Sequence, residues 1–557
     1  MKKTISIIVI FITLLAFGLR VYRLNLNAPS LYADEVGGHY HSWVKLTLSS
    51  SSLINRIYNS LFLGSFSFIW LLGLTPLGVR MPAAIFGTVL VFCLYLFAKS
   101  INLGKKDKIR LVALVTLALG AFLPWAFHIS RIGNTAIPIF LIAVCVHLTV
   151  YLRASNARGY FLSLLPLLVA TYFYPSMLVI TPVIIIMVLG QIFRFVSKNQ
   201  LRAIIPILFV ISIFFLTFIL FRVSSRAFDL AIWKDVNVTA DANVYRGLAR
   251  LSQPTIFSFN QDPELLANSL VYNYPLSVIN VFIRNYLSFF SPDVLFLKGD
   301  PVLRHSTGQV GAFFPFLIPF MIYGAFLLFK SNKRKIKQMF LVWILISPIP
   351  AALTKDGFGY LPRAITMMPF LTYLSAFGLV ESINLIKPRF KPLYLLAIAG
   401  VGFYFVYYFL FAYFHVYPAR AAKSYEFGFK ELSDFQIEQE SKPMLVVWDG
   451  YYPHFHFRFW QATDAKEYSL FTPTDVKINQ SVFHKMYPNL YFSFPQSETD
   501  LREFTEKNNI SFIVFPSELF EKYSQYILLE HPSFETVFYP DQTPAFYIYQ
   551  IDKVSNN

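Results

Sequence analysis

Repeated apolar runs of membrane-spanning length place the strongest limit on the fold of this chain. A helix needs about 20 mostly apolar residues, or somewhat fewer at the short end, to cross a bilayer. Runs of this kind lie at 4–21, 79–100, 109–126, 136–152, 160–174, 176–193, 203–221, 311–330, 339–353, 365–386 and 393–415. The hydrophobic content of 55% exceeds what a soluble core requires. The sequence therefore predicts a polytopic α-helical membrane protein with about eleven transmembrane helices.

Lysine and arginine are distributed unevenly among the loops between these runs. Twenty of them fall at 2–3, 99–110, 153–158, 194–202, 330–337 and 387–391, whereas the short loops at 127–135, 174–176 and 354–364 hold only Arg131, Lys355 and Arg363. Basic residues concentrate on the cytoplasmic side of a membrane. We therefore expect a multi-pass protein of the plasma membrane with a cytoplasmic N-terminus. Long segments at 22–78, 222–310 and 416–557 then lie outside the cytoplasm, and the net charge of +17 does not indicate nucleic acid as a partner.

The last 142 residues differ in character from the rest, because charges and prolines rise and the apolar runs shorten to strand length. PMLVVWDG, SFIVFP and AFYIYQI are typical of buried strands, and a polar helical stretch covers 499–508. The sequence thus predicts a transmembrane domain at 1–415 and a small extracytoplasmic α/β domain at 416–557. Within the latter, PHFHFRFW at 453–460 alternates polar and aromatic residues, which favours a half-buried strand over a metal site.

Two adjacent carboxylates stand in the first outer segment, in SLYADEVGGHYHSW at 30–43. Outside the membrane, Asp34 and Glu35 could serve as a general base or a metal ligand, or simply be solvated charges. Asp34 could also cap a helix that begins at Glu35, since Asp is favoured at that position. In such a helix Glu35 and His39 share one face and could bind a divalent metal, so the metal requirement stays open and nothing in the sequence demands one.

Cationic side chains recur in the later outer loops. Arg131 stands alone on the side where basic residues are rare, so we expect an anionic partner, which is a ligand, a lipid headgroup or a carboxylate such as Asp34. Further polar residues occupy the end of the 222–310 segment and the 354–364 loop; they are Lys298, Asp300, Arg304, His305, Lys355, Asp356 and Arg363. A group of cations at the outer membrane face, opposite a carboxylate pair, suits a lipid-linked phosphate.

Several of these pieces together resemble one family. They are RVYRLNLNAPSLYADE, the PW…SRIG stretch, YFYPS, LFLKGDPVLRHSTGQVG and PIPAALTKD…LPRAITMMPFL. Over about residues 1 to 420 the chain is similar to the GT-C membrane glycosyltransferases, most of all to family 39, which is related to the protein O-mannosyltransferases and the aminoarabinose transferase of lipid A. This chain departs from the family at one point. Related sequences commonly have an acidic residue shortly after the SR of the PW…SRIG stretch, where this chain has Asn134 and Thr135.

The resemblance implies transfer of a sugar from a polyprenyl-phosphate donor to an acceptor hydroxyl on a protein, lipid or cell-surface glycan, with inversion, at the extracytoplasmic face. It implies Asp34 as the base, with Glu35 as its usual neighbour. By position, the candidates for contact with the donor phosphate are Arg131, Arg304, His305 and Arg363, and the further candidates are Lys298, Asp300 and His39. The missing acidic residue leaves open whether the acceptor and metal requirements of relatives apply to this chain, but it does not affect the donor chemistry.

Two other functions compete with this one. A polysaccharide polymerase or ligase would use the same kind of donor at the same face. A transporter or flippase of a lipid-linked saccharide would need charges within the spans and repeated halves, and this chain shows few of the former and no evident repeat. No Walker loop, dinucleotide fingerprint or GxSxG motif occurs, so a cytosolic nucleotide is not indicated as donor.

Overall fold

The computed structural model describes residues 2–48, 68–195, 231–235, 238, 244, 273–448, 453–464, 466–467, 471–520 and 535–551. The chain divides into two compact units. The helical unit comprises Met1–Gly18, Phe86–Ser130 and Ile137–Phe409, and the sheet unit comprises Leu19–Ile85, Arg131–Ala136 and Leu410–Asn557. The sheet unit therefore contains more than the predicted C-terminal domain, because the first outer segment and the short stretch around residue 133 belong to it.

Helices, most of them apolar, account for most of the described residues before residue 412. Their bounds are α1 Lys2–Val21, α2 Ala33–Leu48, α3 Ile69–Leu72, α4 Pro76–Ser100, α5 Lys106–Phe122, α6 Pro124–His128, α7 Ala136–Arg153, α8 Ala157–Phe173, α9 Met177–Ile192, α10 Tyr274–Ser288, α11 Ile318–Lys330, α12 Arg334–Ile346, α13 Ile349–Ala352, α14 Leu361–Ala364, α15 Met368–Ser382 and α16 Lys391–Phe411. Helices occupy ten of the eleven predicted runs, and the run at 203–221 lies outside the described residues.

Six of the described helical segments are long and apolar enough to cross a membrane. They are Thr4–Val21, Pro76–Ser100, Ala136–Arg153, Arg334–Ala352, Leu361–Leu385 and Pro388–Ala421. Shorter apolar helices cover Ala157–Phe173, Met177–Ile192 and Pro315–Lys330. A multi-pass membrane protein is the class that such helices indicate. The number of crossings and the orientation stay predictions.

Glycines bring two helices of the helical unit into direct backbone contact. A Cβ atom at Gly324 of α11 would lie 2.1 Å from the carbonyl oxygen of Leu374, and one at Gly378 of α15 would lie 1.8 Å from that of Phe320. Small residues at such crossings permit the close packing that holds helices together in lipid. An ion pair between Lys108 and Glu381 joins α5 to α15 as well.

The C-terminal residues contain a sheet with accompanying helices, as the sequence predicted, and the sheet is mixed. Short helices α17 Tyr417–Ala421, α18 Phe429–Glu438, α19 His454–Trp460 and α20 Glu498–Lys507 accompany strands β1 Met444–Val447, β2 Thr474–Ile478, β3 Ser481–Tyr487, β4 Leu490–Ser493, β5 Phe512–Pro516, β6 Glu535–Phe538 and β7 Pro544–Gln550. The strand order is β2-β3-β4-β1-β5-β7-β6. Strand β1 runs parallel to both β4 and β5, and the remaining pairs are antiparallel.

Both faces of this sheet are buried. On one face Met444 and Val446 pack against Phe429 of α18 and Phe457 of α19. On the other face Leu445 and Val447 share a core with aromatic and aliphatic side chains that include Phe483, Leu501 and Phe504. Each buried side chain of this size contributes about 1.5–3 kcal/mol relative to an exposed one. No disulfide contributes to this sheet, since the two cysteines of the chain, Cys93 and Cys145, are unpaired and buried in the helical unit.

The prediction of a strand at 453–460 is wrong, because residues His454–Trp460 form helix α19. The alternation of polar and aromatic residues did not separate a buried face from a solvated one. His456 and Arg458 are buried along with Phe457 and Phe459. Within the helix, Phe459 and its neighbour Phe455 pack against α2, while Phe457 enters the sheet core. Residues four apart on a helix share a face, which explains why Phe455 and Phe459 act together.

Candidate functional site

The two adjacent carboxylates of the 22–78 segment have opposite environments. Asp34 is exposed, and its side chain makes no hydrogen bond or ion pair among the described residues. Glu35 is 1% exposed and accepts several hydrogen bonds. A carboxylate with unoccupied lone pairs can accept a proton from a ligand, whereas a carboxylate buried on a guanidinium cannot do so without breaking that contact.

Helix α2 begins at Ala33, two residues earlier than the capping prediction required. The backbone N–H groups of Glu35 and Val36 both donate to the carbonyl of Tyr32, at 2.8 and 3.1 Å, so Tyr32 occupies the N-cap position. The prediction that Asp34 caps the helix is therefore wrong, because Asp34 already lies within the first turn. The N–H of Tyr32 donates in turn to Glu35 Oε2 at 3.4 Å, which is half of a capping box.

A buried ion pair between Glu35 and Arg80 organises the loop that precedes α2. Arg80 donates from Nε to Glu35 Oε1 at 3.1 Å and from Nη2 to Oε2 at 3.0 Å. Its remaining donors reach the carbonyl oxygens of Ala28, at 3.0 Å, and Ser30. The guanidinium also lies over the ring of Tyr425, 5.6 Å from the centroid. Arg80 thereby fixes the chain immediately before Asp34.

Gly133 completes this network from the 131–136 stretch. Its N–H donates to Glu35 Oε1, and its carbonyl lies 3.0 Å from His39 Nε2. A Cβ atom at this position would lie 2.6 Å from Val79 and 2.9 Å from Glu35, so only glycine fits. Burial lowers the pKa of His39, although the contacts with Gly133 and Glu35 oppose the shift. A neutral imidazole that donates to the Gly133 carbonyl accounts for this geometry.

Glu35 and His39 do lie on one side of α2, as the spacing predicted, but both are used in protein contacts. Arg80, Gly133 and Tyr32 surround the Glu35 carboxylate. Among the described residues, no group of three or more His, Cys, Asp or Glu side chains could hold a metal ion. A cation at Glu35 would have to displace the Arg80 guanidinium, so these side chains do not fit a metal centre.

Arg131 is fully buried and contacts oxygen atoms of its own chain. It donates to the carbonyl oxygens of Leu19 and Arg20 at 2.9 and 2.7 Å, and to the hydroxyl of Tyr413 at 3.1 Å. A further bond reaches the carbonyl of Asn27 at 3.3 Å. These contacts do not include Asp34, which the sequence allowed as an ion-pair partner. They hold the 19–27 segment in place, and contact with a donor phosphate stays a prediction.

Helix α2 is anchored to the C-terminal part of the sheet unit. The hydroxyl of Tyr40 donates to the carbonyl of Thr463 at 2.9 Å. Gly37 allows the ring of Phe455 to approach, since a Cβ atom there would lie 3.1 Å from that ring. Tyr40 also shares a core with Val36 and Phe459. The helix that carries Asp34 therefore rests on α19.

In the helical unit, Asp300 joins two loops that the sequence predicts to lie outside the cytoplasm. Its carboxylate accepts from the N–H groups of Val302 and Leu361, both at 2.7 Å, and lies 3.1 Å from His305 Nδ1. The His305 ring meets Tyr360 edge-on at 4.8 Å between centroids. Gly299, with φ of +86°, provides the turn before Asp300, because left-handed backbone favours glycine. Asp300 is thus a structural residue of this cluster.

Arg363 lies in the same cluster and is oriented by three neighbours. It forms a two-pronged ion pair with Asp356, at 2.6 and 3.1 Å, and donates to the hydroxyl of Thr354. Its guanidinium lies 4.4 Å from the ring centroid of Tyr360. Burial opposes ionisation of Asp356, but Arg363 outweighs it and lowers the pKa of that carboxyl. The side chain of Asp356 is nearly half exposed, so an incoming anion can reach this pair.

The other predicted cations of the helical unit are less enclosed. Arg304 is half-buried, and its carbonyl lies 2.9 Å from His128 Nε2. Lys298 is 70% exposed and only loosely paired with Asp293, at 3.4 Å. The structure therefore brings Asp300, His305 and Arg363 together around Tyr360. Arg304 precedes His305 in the sequence and is half-buried, and Lys298 is exposed to solvent.

Arg80 is the residue of this region that sequence reasoning missed. A signal for it exists, since a charged residue at the end of an apolar run is costly unless it has a partner. The sequence shows such a residue in LGVRMPAA, directly before α4 becomes continuously apolar. The partner could not be identified from the sequence, because Glu35 lies 45 residues earlier.

No protein-family model and no curated protein sequence matches this chain. Among solved structures, it is similar to the oligosaccharyltransferase of Archaeoglobus fulgidus, crystallised with zinc and sulfate, with 11% identity, a TM-score of 0.41, and 97% of this chain and 72% of that chain covered. It is also similar to ArnT from Cupriavidus metallidurans in the apo state, with 10% identity, a TM-score of 0.37, and 98% and 97% covered.

Proposed function

We propose that this chain is an integral membrane glycosyltransferase that moves a sugar from a polyprenyl-phosphate donor to an acceptor hydroxyl at the extracytoplasmic face, with inversion. The observation that carries the proposal is the division between the two adjacent carboxylates. Asp34 is exposed without a side-chain partner among the described residues, while Glu35 is buried on Arg80. One carboxylate is thus available for chemistry, and the other fixes its position.

In the proposed reaction the acceptor oxygen forms a bond to the anomeric carbon, and the bond between that carbon and the phosphate oxygen breaks. The electron pair leaves with polyprenyl phosphate. The acceptor proton passes to the carboxylate of Asp34, which acts as general base. Attack from the side opposite the phosphate inverts the anomeric carbon. Glu35, Arg80 and Gly133 are positioning residues, because they hold the first turn of α2 and do not touch the reacting atoms.

The charge that develops on the leaving phosphate needs cations. Arg363 is the strongest candidate, because Asp356 orients its guanidinium group and that group is partly exposed. A phosphate can take the place of the Asp356 carboxylate. Arg304 and His305 are the next candidates in the helical unit. Arg131 is proposed as a positioning residue instead, since its donors already reach backbone carbonyls and the Tyr413 hydroxyl.

Mass spectrometry of cell-surface glycans tests the proposal. Cells that lack the protein should lose one glycan modification, and the wild-type chain should restore it. Asp34→Asn should reach the membrane in equal amount and fail to restore it. Asp34→Glu, which keeps the carboxylate, should restore part of it. Restoration by Asp34→Asn would exclude this residue as the base.

The runner-up function, a polysaccharide polymerase or ligase, gives a different result in the same experiment. Loss of the protein would then shorten a polymer or release it from its anchor, while the monosaccharide substitutions would be unchanged. An unchanged glycan profile after deletion would contradict both functions.

A further inference from the structure

The helical unit gathers the ends of several helices around one lysine. Lys335, in the first turn of α12, donates from Nζ to the carbonyl oxygens of Leu152, at 3.3 Å, and Ala154, at 3.0 Å, where α7 ends. The same ammonium group lies 4.9 Å from the ring centroid of Tyr151 and 4.5 Å from that of Tyr160, in the first turn of α8. Aromatic ring faces attract a cation at such distances. Lys335 is therefore fixed at the point where α7, α8 and α12 meet.

The end of α9 brings a second cation to the same point. Phe195, just after α9, contacts the ring of Tyr160 with 6.0 Å between centroids. Arg194 lies within electrostatic reach of the hydroxyl groups of Tyr151 and Tyr160. It donates to the side-chain oxygen of Gln191 at 3.1 Å, and its other N–H groups have no hydrogen-bond partner among the described residues. Lys335 and Arg194 thus share one pair of tyrosine rings.

No carboxylate of these helices neutralises the cations. The sequence has no Asp or Glu at 108–228 or at 301–355, the ranges that contain α7, α8, α9, α11 and α12. Five more basic side chains at these helix ends are exposed and form no ion pair within the described part of the chain; they are Arg153, Arg158, Lys330, Lys333 and Arg334. Like charges repel one another, so an anion from outside the chain stabilises this cluster.

An apolar stripe begins on α8 within one turn of Arg158. Its side chains recur at intervals of three and four residues, which places them on one face of the helix. They are between 39% and 51% exposed, and they are Phe161, Leu162, Leu165, Leu168 and Val169. An apolar helix face of this kind suits the acyl chains of a bilayer. A ligand that combines a negative charge with an acyl chain therefore matches both the cations and the stripe.

We propose that this end of the helical unit binds an anionic phospholipid. Its phosphodiester lies among Lys335, Arg194 and Arg158, and one acyl chain follows the stripe on α8. Basic pockets between membrane helices bind anionic headgroups, and each Lys or Arg near the membrane surface adds to the attraction. A zwitterionic phospholipid fits less well, because its choline or ethanolamine group brings a further cation to the cluster.

The predicted topology assigns this lipid to the cytoplasmic leaflet, since these helix ends are the ones that the sequence predicts to face the cytoplasm. Anionic lipids are common in that leaflet. The proposed sugar transfer takes place at the opposite face, so the lipid site does not rest on the proposed function.

Native mass spectrometry of the purified full-length chain in detergent tests this site, with dioleoyl phosphatidylglycerol and dioleoyl phosphatidylcholine as probes. We expect the wild type to prefer phosphatidylglycerol by about tenfold or more. The double variant Arg158→Gln with Arg194→Gln should lose most of this preference. Both side chains are exposed, so the variant should keep the unfolding temperature of the wild type.

The matched control is Lys387→Gln with Arg389→Gln, which removes two exposed cations from the same predicted face, outside the cluster. It should keep the preference of the wild type. Equal affinity of the wild type for the two lipids would overturn the proposal. Equal losses in the two double variants would also overturn it, because the lipid would then respond to total charge. Displacement of the lipid by equimolar glycerol 3-phosphate would assign the cations to a soluble anion instead.

Discussion

Glu35 and Arg80 form an ion pair that is almost completely enclosed, with 3.0 Å between Oε2 and Nη2 and side-chain exposures of 1% and 0%. The pair closes the loop between Ala28 and the first turn of α2, because Arg80 also donates to the carbonyls of Ala28 and Ser30. Asp34 is adjacent to Glu35 in sequence and remains exposed. A rigid anchor next to an available carboxylate is the arrangement that a positioned base requires.

Arg80→Met should destabilise the protein strongly, because it leaves the Glu35 carboxylate buried without its cation. Breaking one side of a buried pair costs about 3–5 kcal/mol. Arg502→Met is the matched control, since it removes a half-exposed pair with Glu498 on α20 of the same unit. That change should cost no more than about 1 kcal/mol. Thermal unfolding of the purified variants in detergent measures both, and equal losses would contradict the structural role of Arg80.

The double change Glu35→Gln with Arg80→Met should be less harmful than the sum of the two single changes. Removing both partners leaves no buried charge, so the cycle should show coupling of about 1–3 kcal/mol. Additive losses would mean that the two side chains do not act through each other.

Local patterns in the sequence were sufficient for the apolar helices and for strands β1, β5 and β7. Helix periods and strand-length apolar runs depend on neighbouring residues, which a single sequence displays directly. Helix α19 was missed because residues on all sides of PHFHFRFW are buried or half-buried. The alternation of polar and aromatic residues therefore did not mark one solvent-exposed face, as it would in a half-buried strand. The roles of Glu35 and Arg80 depend on a contact across 45 residues, which no local pattern reveals.

The surroundings of the candidate site residues could not be predicted from the sequence. Asp34 is exposed and Glu35 is buried, but residue type does not separate two adjacent carboxylates, and only the family resemblance assigned them different roles. Arg131 looked available because it is alone in a short outer loop, but backbone carbonyls from 19–27 enclose it. Backbone oxygens are invisible to residue-type reasoning, since every residue carries one.

Gly133→Ala should disturb the anchor without changing any charge. The added methyl group would lie 2.6 Å from Val79 Cγ1 and 2.9 Å from Glu35 Cγ, and neither neighbour can move freely. Overpacking of this kind costs about 1–3 kcal/mol. Gly190→Ala is the control, because a Cβ atom there meets nothing within 4 Å in helix α9. Unfolding temperatures should fall for the first variant and stay level or rise for the second.

Arg363→Lys should weaken use of the donor while keeping the positive charge. Lysine cannot reproduce the two-pronged geometry that Arg363 shows with Asp356. We expect that restoring the glycan will need about tenfold more donor or protein, and a tenfold change corresponds to a free-energy difference of about 1.4 kcal/mol. Lys387→Met, an exposed change on the predicted cytoplasmic side, serves as the control and should restore the glycan fully. Wild-type restoration by Arg363→Lys at limiting expression would exclude a bidentate phosphate contact.

His454 should make the stability of the sheet unit depend on pH. Burial, with Arg458 and His456 nearby, lowers its pKa to about 3. In the unfolded chain the same group takes up a proton near pH ~6.5. Between these values the unfolded state binds more protons, so stability falls as pH falls, by at most about 1.4 kcal/mol per pH unit for one group. His454→Gln should show a shallower decline between pH 6.5 and 5 in thermal unfolding, with slopes parallel to the wild type above pH 7.5. Identical slopes below pH 6.5 would mean that His454 does not stay neutral in the folded protein.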